Sequence, residues 1–211
     1  MPGVSRGAIA ALFATAVVAL VVVILAARGI SDAGTRKVTT SGHATGQTSA
    51  FEGALMPAGV RAPNFSLRDQ HGRRVTMKDY RGRPVIVTFL YSHCHDTCPI
   101  QAQQIKGALD QLGHDIPALA ISVDPHRDTP KSVDRFDAEQ GIGNRLTWVL
   151  GRESQLRPLW EGYHTTSELP SQEHLALVVL VDKRGFQRVG YPSQQVTPER
   201  LAHDIRVLER E

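Results

Sequence analysis

The residues with the clearest chemical potential are Cys94 and Cys98, the only two cysteines in a chain of 211 residues. A cysteine thiolate is a nucleophile and a ligand for soft metal ions. If a helix begins near Cys94, the spacing i, i+4 places both sulfurs on one face, close enough to hold a single ion or to form a disulfide. The pair therefore predicts a metal site, a redox-active dithiol, or both.

The cysteines fall where a predicted strand meets a predicted helix. The run 84–90 is rich in β-forming residues and is typical of a buried strand. After the cysteines, apolar residues recur with helical spacing at Ile105, Ala108, Leu109 and Leu112, and Gly113 is a suitable helix end. Free N–H groups and the dipole at such a helix start lower the pKa of nearby thiols. We therefore expect a thiolate at this turn.

The rest of the chain predicts alternating strands and helices. Further helices are expected after Thr129-Pro130 and Thr197-Pro198, which have the residue types of an N-cap followed by the first helical position. A short helix is expected around 156–163, where Trp160 and Tyr163 are predicted to lie in the core. The predicted strands are 62–67 and 74–77 as an N-terminal hairpin, 117–123, 146–150, and 175–181 with 186–190 as a second hairpin. This order predicts a three-layer α/β/α fold with a mixed sheet, and it resembles the thioredoxin-like fold.

A long apolar run lies near the amino terminus. The 20 residues from Ala8 to Ala27 carry no charge and match the thickness of a hydrocarbon core at about 1.5 Å per residue. The run is longer than the apolar part of a secretory signal, so we predict an uncleaved transmembrane anchor in 1–28. A Gly-, Ser- and Thr-rich linker is predicted for 29–59 and the folded domain for 60–211.

The predicted location follows mainly from the cysteines. A reactive dithiol behind an export signal suits an oxidising compartment. We therefore expect a single-pass protein of the cytoplasmic membrane whose carboxy-terminal domain lies on the extracytoplasmic side, periplasmic or outer. The alternative is a cytoplasmic enzyme on a tail-like anchor. The net charge of +3 comes from scattered basic residues, which does not favour nucleic-acid binding.

Three motifs together resemble the Sco/SenC family of membrane-anchored copper proteins that help to mature cytochrome c oxidase. Residues 94–99 match its C-x-D-x-C-P pattern, and residues 122–130 match S-V-D-P-x-R-D-T-P. The third motif is His174, which stands just before an apolar strand and the turn 182–185 of the D-x-x-G type. The resemblance covers about 60–211 as well as the anchor and the linker.

This resemblance implies a copper chaperone. Cys94, Cys98 and His174 would bind one copper ion, with the thiolates favouring Cu(I) and the imidazole helping to accommodate Cu(II). The partners it implies are an apo-cytochrome c oxidase subunit or another copper acceptor, and a reductant that keeps the dithiol reduced. The resemblance favours a metallochaperone over an enzyme and leaves a thiol-disulfide oxidoreductase activity open.

Other interpretations remain open at this stage. A thiol-disulfide reductase that acts on the metal-binding cysteines of a partner is the main alternative, although reductases of this fold normally use C-x-x-C rather than C-x-x-x-C. A peroxide-reducing thiol enzyme is less favoured, because Tyr91 stands where such enzymes have threonine. His93 and His95 are read as surface residues, and Asp96 as a helix cap. The acidic and basic residues of the loop 124–128 are expected either to support or dock at the site or to form a structural ion pair.

Overall fold

The computed structural model describes residues 49–165 and 177–211, and the predicted anchor and His174 lie outside these ranges. A six-stranded mixed sheet has the order β1-β8-β7-β4-β5-β6, and a separate hairpin is formed by β2 and β3. The strands are β1 Ala54–Leu55, β2 Ser66–Arg68, β3 Arg74–Thr76, β4 Val85–Leu90, β5 Ala118–Ser122, β6 Leu146–Val149, β7 Leu177–Val181 and β8 Gln187–Pro192.

Four α-helices flank this sheet within the described residues: α1 Thr97–Leu112, α2 Pro130–Glu139, α3 Glu153–Gly162 and α4 Pro198–Arg210. Gly113 ends α1 in the left-handed conformation, with φ of 73°, which a glycine adopts at little cost. Thr129 and Thr197 each accept a backbone hydrogen bond that caps the following helix. These helix ends confirm the predictions made from single residues.

The central strands combine both pairing directions. β4, β5 and β6 run parallel to one another, and β7 pairs antiparallel with β4. All six residues of β4 are buried, as expected for a strand covered on both faces. Because β4 and β7 are antiparallel, the carboxyl end of β4 and the start of β7 lie at the same edge of the sheet.

Two apolar clusters occupy the two faces of the sheet. One contains side chains of α1, α2 and α4, together with both cysteines. The other contains side chains of α3 and of the hairpin, including Trp160 and Tyr163, which are buried as predicted. The predicted three-layer α/β/α class with a mixed sheet and an N-terminal hairpin is therefore confirmed.

The first described residues are packed against the domain. Glu52 and Gly53 donate their backbone N–H groups to the buried carboxylate of Asp204, at 2.8 and 3.0 Å. The strand β1 then pairs antiparallel with β8 at the edge of the sheet. The carboxy-terminal part of the predicted 29–59 linker is thus held by specific contacts. In the ranges 49–165 and 177–211, no helix is long and apolar enough to cross a membrane.

Candidate dithiol and metal centre

The two cysteines occupy different structural positions at the edge where β4 ends. Cys94 lies in the turn that follows β4, whereas Cys98 is the second residue of α1. The helix begins at Thr97, three residues later than the spacing argument assumed, because Asp96 has a non-helical backbone with φ −123° and ψ −92°. The expectation that both cysteines belong to one helix face is therefore wrong for Cys94.

The sulfur atoms nevertheless approach each other closely. The backbone N–H of Cys98 donates to Sγ of Cys94 at 3.3 Å, so this sulfur accepts one of the free N–H groups at the start of α1. The two thiol side chains are also hydrogen-bonded to each other. Both cysteines are buried at 4% exposure and neither forms a disulfide. The site is thus a reduced, contiguous dithiol.

The surroundings make the two thiols chemically unequal. The hydrogen bond from the Cys98 thiol, and then those from the backbone of Asp96 and Cys98, lower the pKa of Cys94 to about 4, although burial opposes the shift. The same hydrogen bond, followed by burial, raises the pKa of Cys98. At neutral pH, Cys94 is therefore a thiolate and Cys98 is the protonated donor to it.

Tyr91 completes the immediate surroundings of the Cys94 sulfur. It is half-buried at the end of β4, and its side chain is hydrogen-bonded to the Cys94 thiol. Burial, and then this hydrogen bond, raise the pKa of Tyr91. The phenol therefore stays protonated and stabilises the thiolate as a donor. In the sequence, Tyr91 stands out only as a departure from the threonine of peroxide-reducing enzymes, and no local pattern predicts this contact.

A buried carboxylate holds the turn that carries Cys94. Asp128 accepts hydrogen bonds from the backbone N–H and the hydroxyl of Ser92 at 2.8 and 2.7 Å. It also accepts a bond from the Ser122 hydroxyl at 2.6 Å, at the end of β5. Burial raises the pKa of Asp128, although these hydrogen bonds act in the opposite direction. The carboxylate ties together the ends of the two neighbouring strands.

Other predicted site residues have separate roles. Asp124 forms an ion pair with Arg127 within the loop 124–128, so these two residues form the structural ion pair that was one of the two expectations for this loop. Asp128 instead supports the site through its hydrogen bonds to Ser92. Asp96 occupies the N-cap position of α1, but its side chain makes no capping hydrogen bond. His95 is exposed, which agrees with its interpretation as a surface residue. His93 is half-buried, and its Nδ1 lies 3.0 Å from the Ser92 hydroxyl.

The dithiol has no third metal-binding side chain beside it among the residues that the structure describes. In those ranges, no group of three or more His, Cys, Asp or Glu side chains is placed to hold a metal ion. The predicted third ligand, His174, lies outside the described residues, so its role stays a prediction. The donors that are described, two adjacent sulfurs, suit a soft ion such as Cu(I).

The fold and the site together define a class of protein. A mixed sheet between two helical layers, with a dithiol where a central parallel strand meets its helix, is a thioredoxin-like dithiol protein. The family model described as SCO1/SenC matches residues 56–209 of this chain. The chain therefore belongs to the SCO1/SenC family, as its motifs predicted.

Known relatives agree with this assignment. Protein SenC of Rhodobacter capsulatus is 38% identical over 207 residues, which cover 93% of this chain and 88% of that protein. The structure of Bradyrhizobium japonicum ScoI with copper bound superposes with a TM-score of 0.60 and 28% identity, and covers 70% of this chain and 99% of that chain.

A more distant structure shares the fold. BsSco, which has a disulfide switch, is a member of the Sco family of cytochrome c oxidase assembly proteins. It superposes with a TM-score of 0.62 at 18% identity, covering 72% of this chain and 95% of that chain, which shows the fold alone. The prediction of copper is confirmed at the level of the family, because the chain matches the SCO1/SenC model and resembles a solved Sco protein with copper bound.

Proposed function

We propose that this protein is a membrane-anchored copper chaperone that binds one copper ion and delivers it to a cytochrome c oxidase subunit during assembly. The observation that carries the proposal is the unequal dithiol at the start of α1, where a thiolate and a thiol lie in contact. Membership in a family with copper-bound relatives supports the choice of metal.

The dithiol is suited to receive copper as cargo. Cys94 already provides a thiolate, whereas Cys98 is protonated and loses its proton to solvent when its sulfur binds the ion. Both sulfurs would then be available as ligands for the ion. Two sulfur ligands and one further donor leave coordination open, so an acceptor ligand can attach before the old ligands leave.

We propose His174 as the further donor, and a reach argument supports it. Gln101 lies one helical turn after Cys98, and its side-chain Nε2 donates to the carbonyl of Leu177 at 3.2 Å. Leu177 begins β7 at the same edge of the sheet as the cysteines. His174 precedes Leu177 by three residues, a length of chain that spans at most about 10 Å.

The proposed location retains the sequence prediction. Residues 1–28 anchor the protein in the cytoplasmic membrane, and the domain lies on the extracytoplasmic side. The dithiol supports this location, because in an oxidising compartment the protein's function would depend on whether Cys94 and Cys98 are reduced. In sealed membrane vesicles of known orientation, a thiol reagent that cannot cross membranes should label Cys94 only when the extracytoplasmic face is outward.

A second function, thiol-disulfide reduction, is favoured by the same asymmetry. The Cys94 thiolate attacks a disulfide of a partner, forms a mixed disulfide and releases one partner thiolate. Cys98 then loses its proton and attacks Sγ of Cys94, which forms the Cys94–Cys98 disulfide and releases the second partner thiolate. The partner gains two electrons, and a separate dithiol reductant restores the protein.

Copper stoichiometry of the reduced domain tests the chaperone proposal. Residues 49–211 should bind one copper ion; Cys98→Ala should abolish specific binding and His174→Ala should weaken it. The exposed His95→Ala is the matched control and should bind copper as the parent does. A reduced parent that binds no copper specifically would refute copper delivery and leave the reductase function, which an assay with a disulfide-containing partner measures separately.

A further inference from the structure

The end of the domain opposite the cysteines carries three arginines around one turn. Arg61 and Arg184 both lie against the ring of Phe186, with Cζ at 4.3 and 5.8 Å from the ring centroid. Arg81 donates a hydrogen bond from its guanidinium to the carbonyl of Arg184. Gly185, with φ of 82°, leaves the space that the Arg81 guanidinium fills. The fold therefore gathers three like charges at the turn between β7 and β8.

These charges are poorly neutralised. In the described ranges, neither Arg61 nor Arg81 has a carboxylate within ion-pair distance. Arg184 approaches Asp182 only at 3.8 Å, and the same carboxylate also pairs with Arg188 at 3.2 Å. Exposed guanidinium groups that are gathered without matching carboxylates favour a polyanionic partner.

The cationic cluster extends to the segment that leads into β4. The backbone N–H of Gly82 donates to the carbonyl of Lys183 at 2.9 Å, which places the exposed Arg83 beside the same end of the sheet. We call the surface formed by Arg61, Arg81, Arg83 and Arg184 the arginine face.

An exposed apolar side chain lies beside the arginine face. Leu55 is 58% exposed and, with Ile100, is one of two large hydrophobic residues that the described part of the chain leaves exposed. It lines one groove together with Arg184 and Phe186. An apolar side chain next to clustered cations is typical of proteins that lie at a membrane surface, where the apolar group enters the headgroup region.

The arginine face and the dithiol lie at opposite ends of β4. Val85 begins this strand two residues after Arg83, and Leu90 ends it before the turn that carries Cys94. Six residues of strand span roughly 20 Å. A surface that binds the arginine face would therefore leave the dithiol pointing away from it.

We propose that the arginine face binds the anionic headgroups of a phospholipid membrane and holds the dithiol outward. Guanidinium groups bind phosphate oxygens in a bidentate manner, which suits lipid phosphates. Lipid is favoured over an acidic protein because Leu55 adds an apolar contact, and because β1 continues from the linker predicted to lead to the anchor. Each cation close to an anionic surface strengthens binding roughly fivefold.

Vesicle binding tests this proposal with residues 49–211. This part is suitable because the match to Bradyrhizobium japonicum ScoI covers 99% of that solved chain but only 70% of this one. A domain of this kind therefore folds without an anchor. Binding is measured by sedimentation with vesicles of phosphatidylcholine alone and of phosphatidylcholine with an equal amount of phosphatidylglycerol. The test variant is Arg61→Gln with Arg184→Gln. The matched control is Lys131→Gln with Arg135→Gln, which removes the same charge from α2.

The parent should bind the anionic vesicles and not the neutral ones. The test variant should bind at least tenfold more weakly, the control within twofold of the parent, and Leu55→Ser several-fold more weakly. Cys94 of the bound parent should react with a water-soluble thiol reagent as fast as in the free protein. Unchanged thermal unfolding verifies that each variant is folded.

Several results would overturn the proposal. Absence of binding to anionic vesicles would do so, as would equal losses in the test and control pairs, which would indicate unspecific attraction. Binding to polyglutamate but not to vesicles would assign the face to an acidic protein instead. Protection of Cys94 by vesicles would show that the opposite end faces the membrane. Copper stoichiometry is measured separately, so its failure is distinguishable from each of these.

Discussion

Replacement of Cys98 by alanine should raise the pKa of Cys94. The Cys98 thiol is the leading cause of the low pKa of Cys94, about 4, while the backbone N–H at position 98 remains in the variant. A hydrogen bond to a charged group contributes about 1.5–3 kcal/mol, and one pKa unit corresponds to about 1.4 kcal/mol. We therefore expect the pKa to rise by roughly one to two units, still below the ordinary value of about 8.5 for cysteine.

The assay is the rate of alkylation of Cys94 by iodoacetamide between pH 3 and 10, with the modified peptide identified by mass spectrometry. The thiolate reacts and the thiol does not, so the midpoint of the rate profile reports the pKa. At about pH 5, the thiolate fraction should decrease from about 90% in the parent to between about 10% and 50% in Cys98→Ala. Copper is removed beforehand, since a bound ion would protect the sulfur.

Tyr91→Phe is the companion variant, because it removes another donor to the same sulfur. The Tyr91 hydrogen bond is a smaller cause than the Cys98 bond, so the midpoint should shift in the same direction but less. A parent midpoint near 8.5, or a midpoint unchanged in Cys98→Ala, would refute the argument that contact between the thiols creates the thiolate.

Three further changes test the scaffold by urea denaturation of the reduced domain. Asp128→Ala leaves the N–H and hydroxyl of Ser92 without their acceptor and should destabilise the fold by about 1–3 kcal/mol, whereas a loss below 0.5 kcal/mol would contradict a supporting role. Burial raises the pKa of Asp137 to about 7, above about 3.9 in the unfolded chain, so the parent should lose stability relative to Asp137→Asn as pH rises between these values. The lowered pKa of Cys94 contributes a slope of opposite sign to both proteins, so the difference between them is the test, and an equal slope in both would contradict the prediction. Gly185→Ala should cost about 1 kcal/mol or more, because φ is 82° and Arg81 fills the space of the added methyl group; a neutral change would show that the turn relaxes.

Features that depend on neighbouring residues could be predicted from the sequence. The buried strand 84–90 follows from an uninterrupted run of apolar and β-forming residues, and the end of α1 at Gly113 follows from the freedom of glycine at positive φ. The caps at Thr129 and Thr197 are local in the same sense, because each hydroxyl binds an N–H three residues further on.

Features that depend on contacts between distant residues could not be predicted from the sequence. Ser92 and Asp128 are separated by 36 residues, and only the parallel register of β4 and β5 brings their side chains together. The clamp between Gly53 and Asp204 spans 151 residues and has no periodic signal. The start of α1 was also missed, because three polar or small residues after Cys94 are compatible with either a turn or a first helical turn.

The position of the helix start gives the site its chemistry. Because Cys94 lies before α1 and Cys98 within its first turn, the N–H and the thiol of Cys98 both point to one sulfur, which separates the pKa values of the two cysteines. The proposed binding of copper by both sulfurs and the formation of a disulfide between them would each require Cys98 to lose its proton. The dithiol therefore suits both copper delivery and thiol-disulfide exchange, and membership in a family with a copper-bound relative favours copper. The predicted third donor, His174, would add to this preference by stabilising the bound metal.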